Sequence, residues 1–141
     1  MSLKNIFGIA GTALNAQTIR MNTTASNLAN ASTVSPTEEE AFRAKRPVFK
    51  ALVDQADLNR GFDSLGGVKV KEIVDDMSPL RKVYDPQNPE SNDEGYIFLS
   101  NVNEVTEMVE MIAASRSFQN NVEVVSTAKQ LLFRTLDITK V

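Results

Sequence analysis

The sequence predicts a mainly α fold with a small β element: long N- and C-terminal helices paired as an elongated, antiparallel coiled-coil-like unit, with short antiparallel strands in the middle. Three observations predict it. Phe7, Leu14, Met21 and Leu28 recur at every seventh position, with Leu3, Ala10, Gln17, Thr24 and Ala31 on the alternate seam. Met108, Met111, Ser115, Phe118, Val122, Val125, Lys129, Leu132 and Leu136 step alternately by three and four. Between these stretches the chain turns often and carries short β-branched and aromatic runs. A helix cannot bury such a stripe by itself, so each end needs a partner, either the other end or another chain. The expected division is 1–31 and 101–141 as the helices of an assembly core, and 32–100 as a connector and β-rich middle.

The first helix is nearly uncharged. Residues 1–31 hold only Lys4 and Arg20, and Ala, Asn, Ser, Thr and Gly cover most of the rest of its surface. Solvated helices carry a charged outer face, so this circumference favours enclosure by several neighbours. Gly8 and Gly11 each cost about 1 kcal/mol relative to Ala in a helix interior, which is understandable where another backbone approaches; the alternative is a frayed first turn ending near Gly11. The run STVSPTEEE over 32–40 has the composition of an exposed connector and stops the helix. Phe42–Leu52 alternates loosely, and Pro47 confines it to an edge or a strand start. A loop over 54–67 closes on Gly66-Gly67, after which Val68, Val70, Ile73 and Val74, with Lys69 and Lys71 interleaved, make a strand with one wet face. Leu80–Tyr84 and Tyr96–Leu99 are two further strands, separated by the turn-rich DPQNPESNDEG.

The last helix begins near 100–103, where Asn101 precedes Glu104 by three residues in an arrangement close to a capping box. Glu104, Glu107 and Glu110 lie early, and Lys129, Arg134 and Lys140 late, matching the helix dipole. From 103 to 137 such a helix is about 50 Å long. Val124, Leu131 and Ile138 form a second seven-spaced row, so the apolar face is wider than one two-helix seam and implies more than one partner helix. Burying four large side chains does not by itself offset the entropy of ordering the first helix. The terminal segments are therefore expected to be partly disordered in the free subunit and to order when neighbours close around them.

Composition removes several classes of function. At 141 residues the chain is one ordinary domain by length. A net charge of -3 and a pI near 5.0 provide no basic field for nucleic acid. The absence of Cys and His removes the thiolate nucleophile, the imidazole base and the two commonest transition-metal ligands. No cleaved secretory signal is visible, and no stretch reaches the roughly 20 apolar residues of a membrane span, so direct membrane insertion is not expected. Glu38, Glu39 and Glu40 point in different directions and read as a solvated run, while Asp85–Gly95 lacks the central Gly and terminal acid of a calcium loop. No phosphate loop or nucleophile elbow occurs, so neither an enzyme nor a cofactor is expected.

Ser26-Asn27-Leu28-Ala29-Asn30, closing a helix that opens SLKNIFGIAGTALNAQTIRMN, closely resembles the signature of bacterial flagellar rod and hook proteins. The resemblance continues through Phe42-Arg43-Ala44-Lys45, Gly67-Val68-Lys69-Val70, Val83-Tyr84-Asp85-Pro86, Asn88-Pro89 and Gly95-Tyr96. It is strongest in Asn101-Val102-Asn103, Glu107-Met108-Val109, Ala114-Ser115-Arg116-Ser117-Phe118-Gln119 and Asn121-Val122-Glu123-Val124. Phe42 and Phe118 stand where that family often has Tyr, and Asn120 where Ala is common.

The resemblance, covering essentially the whole chain, implies a non-enzymatic structural subunit of the proximal rod of the basal body, the drive shaft that carries motor torque across the periplasm to the hook. It further implies uncleaved export by the flagellar type III apparatus. The implied partners are other copies of the chain, other proximal- and distal-rod proteins and a membrane-ring adaptor. The alternative is a coiled-coil subunit or adaptor of another type III secretion-type assembly. The candidate assembly interface is Phe7, Leu14, Met21 and Leu28 on the first helix, with Asn27 and Asn30 as capping or interhelical hydrogen-bond residues, or simply helix terminators. On the last helix it is Met108, Met111, Phe118, Val122, Val125, Leu132 and Leu136.

Overall fold

The computed structural model describes residues 3–52 and 66–138. The elements run α1 (Leu3–Ala29), β1 (Val34–Ser35), β2 (Lys45–Ala51), β3 (Val68–Asp75), β4 (Arg81–Tyr84), β5 (Tyr96–Leu99) and α2 (Glu104–Ile138). Two terminal helices with short strands between them are thus the architecture the sequence predicts. The expected loop over 54–67 lies outside the described residues apart from Gly66 and Gly67. The chain forms two units: residues up to Ile19 with Val48–Glu72 and the chain from Ala113 on, and Arg20–Pro47 with Ile73–Ile112.

Helix α1 passes through Gly8 and Gly11 without a break, so the frayed-turn alternative does not hold. Within the chain no described backbone approaches Gly11, where a Cβ would meet nothing within 4 Å. At the other end the helix stops by local chemistry. Asn30 Nδ2 donates to Ser26 O at 2.8 Å and Thr33 Oγ1 to Asn30 O at 2.7 Å, adding side-chain donors to carbonyls that also accept from the Asn30 and Thr33 amides.

In the first unit, Thr12 on α1 meets the start of β3: its Oγ1 donates to Ile9 O at 2.8 Å and accepts from Val68 N at 3.3 Å. Leu52 N donates to Gly67 O at 2.8 Å just beyond the ends of β2 and β3. A Cβ on Gly67 would lie 3.0 Å from Thr12 Oγ1, tighter than an ordinary contact, so a larger residue would push this side chain aside. The buried residues of this unit are small: Ala10, Ala16, Ala114 and Ala128.

The second unit holds a three-stranded antiparallel sheet in the order β1-β5-β4. Val34 and Arg81 both lie opposite Leu99, and Val83 lies opposite Ile97, the buried residue of β5. Strand β1 falls inside the expected connector; its two residues are extended because β5 offers them a ladder. Between β4 and β5, Asn92 Oδ1 accepts from Glu94 N at 3.0 Å and Tyr96 N at 2.9 Å, an Asx-type turn. Gly95 follows at φ 79°, and a Cβ there would stand 2.8 Å from the Tyr84 ring. Ala31, Ala44 and Val102, with Phe42 packed against them, form the apolar cluster of this unit.

The cap of α2 differs from the one expected. Asn103 Oδ1 accepts from Thr106 N at 3.0 Å, which makes Asn103 the N-cap. Asn101 is occupied elsewhere.

Candidate assembly interface

Within the second unit, the segments of α1 and α2 are joined by charge and amide groups. Glu107 is 0% exposed and Asn27 1%. A carboxylate out of water must be paired and hydrogen-bonded. Glu107 Oε1 accepts from Arg46 Nη1 at 2.7 Å and Oε2 from Asn27 Nδ2 at 3.0 Å. Asn27 also grips β2, donating from Nδ2 to Lys45 O at 3.0 Å and accepting at Oδ1 from Lys45 N at 2.8 Å. Arg20 pairs with Glu110, and Ser32 Oγ donates to Glu104 Oε1 at 3.1 Å. As residue numbers rise along the α1 side, those of their α2 partners fall, so these segments run antiparallel.

A second brace lies at Asn101. Its Oδ1 accepts from Ala44 N at 2.7 Å, while its Nδ2 donates to Asp76 O at 2.9 Å and Ser78 O at 3.2 Å. Arg43 Nη1 donates to the same Ser78 carbonyl at 3.2 Å. Hydrogen bonds from the Ser78 hydroxyl and amide, with the positive charges of Arg46 and Arg43 nearby, hold the Asp76 carboxyl below its ordinary pKa. Arg46 therefore stands between two carboxylates, with Nε 3.9 Å from Asp76 Oδ2.

The buried row on α2 is not its bulkiest one. Glu107, Ala114 and Ala128 are buried and Asn121 half-buried, a seven-spaced series of small or polar residues. Met111, Phe118 and Val125 flank it and are half-buried, whereas Met108, Val122, Leu132 and Leu136 are exposed. On α1, Phe7, Leu14, Met21, Leu28 and Asn30 are half-buried; Ala10, Thr24 and Ala31 on the alternate seam, and Asn27, are buried. The outer face of α2 continues through Val105, Val109 and Ile112 in one unit and Val124, Leu131 and Phe133 in the other, all exposed. Ile6, Val124, Ala128 and Leu131 line an apolar groove of about 290 Å³.

Sequence reasoning missed the pairing of Glu107 with Arg46, treating Glu107 as a charge complementing the helix dipole, and gave Asn101 the role of a cap instead of a brace. The available signal was the seven-residue spacing of Glu107, Ala114, Asn121 and Ala128, a row without bulk.

Two family profiles match the helical ends of the chain: "Flagella basal body rod protein" over residues 7–37 and "Flagellar basal body rod FlgEFG protein C-terminal" over residues 93–138. Among curated proteins, the flagellar basal-body rod protein FlgC of Buchnera aphidicola is 48% identical, covering 99% of this chain and 100% of its own. That of Salmonella typhimurium is 44% identical over 98% of both chains, and that of Aquifex aeolicus 36% identical over 99% of both. Similarity of this extent, running through both helices and the middle, places the chain in the FlgC family of flagellar basal-body rod proteins.

Proposed function

We propose that the chain is a structural subunit of the proximal part of the flagellar rod, assembling helically through α1 and α2 with copies of itself and with sister rod proteins. One observation carries this reading. The second helix leaves its bulky residues outside, with Val109 60% exposed, Ile112 54%, Val122 45% and Phe133 53%. Bulky apolar residues exposed at so many points along one helix mark a surface that other helices cover. The heptad rows of Phe7, Leu14, Met21 and Leu28 and of Met108, Met111, Phe118, Val122, Val125, Leu132 and Leu136 then form coiled-coil-like seams in the assembled rod.

The role is mechanical, without catalysis or cofactor. Long helices resist bending and twisting, and the Asn27–Glu107–Arg46 clasp fixes the register of the helix segments it joins, so torque entering one helix is passed on. Among the described residues no helix is long and apolar enough to cross a membrane. The proposed route is uncleaved export by the flagellar type III apparatus, with assembly in the periplasm and contacts to the distal rod and a membrane-ring adaptor.

The test is Val122→Asp in a strain lacking the native copy. Val122 is exposed in the subunit, so the variant should melt like the parent while losing incorporation into basal bodies and swimming. Normal incorporation and swimming with this charge in the row would overturn the proposal.

A further inference from the structure

Two strand edges are open among the described residues. Strand β4 lies at the end of the order β1-β5-β4, and all four of its residues are exposed, Tyr84 by 64%. Strand β3 pairs only with β2 among the described residues, and every residue from Lys71 to Asp75 is exposed. Open edges present unpaired backbone N–H and C=O groups, and proteins usually blunt them. The β1 edge of the three-stranded sheet is blunted in this way: β1 has two residues and is followed by Pro36.

The two open edges are complementary. The end of β3 reads Glu72-Ile73-Val74-Asp75 and β4 reads Arg81-Lys82-Val83-Tyr84. Antiparallel, they place Arg81 opposite Asp75 and Val83 opposite Ile73 on one face, with Lys82 diagonal to Glu72 on the other. Within one chain this pairing is blocked. The link from Asp76 to Leu80 is committed elsewhere, because Asp76 N donates to Ala44 O at 2.7 Å and the carbonyls of Asp76 and Ser78 accept from Asn101 Nδ2. The strands consequently sit in different sheets.

We propose that β4 of one copy adds along the open edge of β3 of a second copy of this chain, with Arg81 against Asp75 and Val83 against Ile73. Because the two surfaces differ, the contact is heterologous and repeats from copy to copy without closing on a pair. It rests on the rod-subunit reading and adds to it a backbone-mediated contact made by the middle of the chain rather than by its helices. The four-residue strand makes the contact weak between free subunits, so it forms where neighbours are already held side by side.

The chain has no cysteine, which makes disulfide trapping clean. A double Ile73→Cys/Val83→Cys variant, produced in cells lacking the native copy, is oxidised in isolated basal bodies and run without reductant. The expected result is a ladder of cross-linked multimers from the double variant and none from either single variant. A dimer from Val83→Cys alone, a cross-link confined to one chain, or no cross-link in basal bodies that contain the variant would each overturn the pairing. The last outcome leaves the rod-subunit reading standing, whereas absence of the unmutated chain from basal bodies would remove that reading itself. Charge reversal covers the case in which the cysteines impair incorporation: Asp75→Arg and Arg81→Asp should each reduce swimming, and together restore it. A double reversal no better than either single one would overturn the proposal.

Discussion

Replacing Asn27 by alanine removes three hydrogen bonds at one buried position: two with the Lys45 backbone and one to the Glu107 carboxylate. Each bond to the backbone contributes about 1 kcal/mol, and the bond to a carboxylate about 1.5–3 kcal/mol. The expected destabilisation is therefore about 4 kcal/mol, because alanine leaves both Lys45 groups and one carboxylate oxygen without this partner. Asn30→Ala is the internal control. It deletes one bond, from Nδ2 to Ser26 O at a helix end, and should cost about 1 kcal/mol. The assay is urea unfolding of the purified subunit followed by far-UV circular dichroism, comparing midpoints at unchanged slope. If Asn27→Ala cost no more than Asn30→Ala, the clasp would not be what holds these elements together.

Gly95→Ala forces an L residue to φ 79° and sets a Cβ 2.8 Å from the Tyr84 ring, so a loss of about 2 kcal/mol or more is expected in the same unfolding assay. Gln17 carries a buried Oε1 without a hydrogen-bond partner among the described residues; Gln17→Met removes that group and should raise the unfolding free energy by about 1 kcal/mol. The Asp76 pKa is lower folded than unfolded, so its stabilising effect is full above its unfolded value near 4 and is lost as pH falls through the lower folded value. Urea midpoints followed downward from about pH 5 should accordingly fall less steeply for Asp76→Asn than for the parent chain, and equal slopes would show that the carboxylate is not held by Ser78 and the arginines.

Local chemistry made much of the fold legible in the sequence. Strand β5 spans the predicted Tyr96–Leu99, and α2 runs over Glu104–Ile138 against a predicted 103–137, because periodicity and turn residues act over a few neighbours. The family is equally a property of the sequence, since the resemblance rests on residue identities along the chain. What only the tertiary structure decided is which face of each element is buried and which polar group meets which. Hydrophobic size ranks Met108 and Val122 above Glu107 and Ala114, yet the latter are buried, because close helix approach selects small residues and a buried acid is tolerated where Arg46 and Asn27 reach it. Spacing to Glu104 suggests Asn101 as the cap. Asn101 braces Ala44, Asp76 and Ser78 instead, a contact between residues far apart in the chain that no local pattern encodes, and this leaves the cap to Asn103. In the same way, β1 exists only because β5 arrives beside it with unpaired backbone groups.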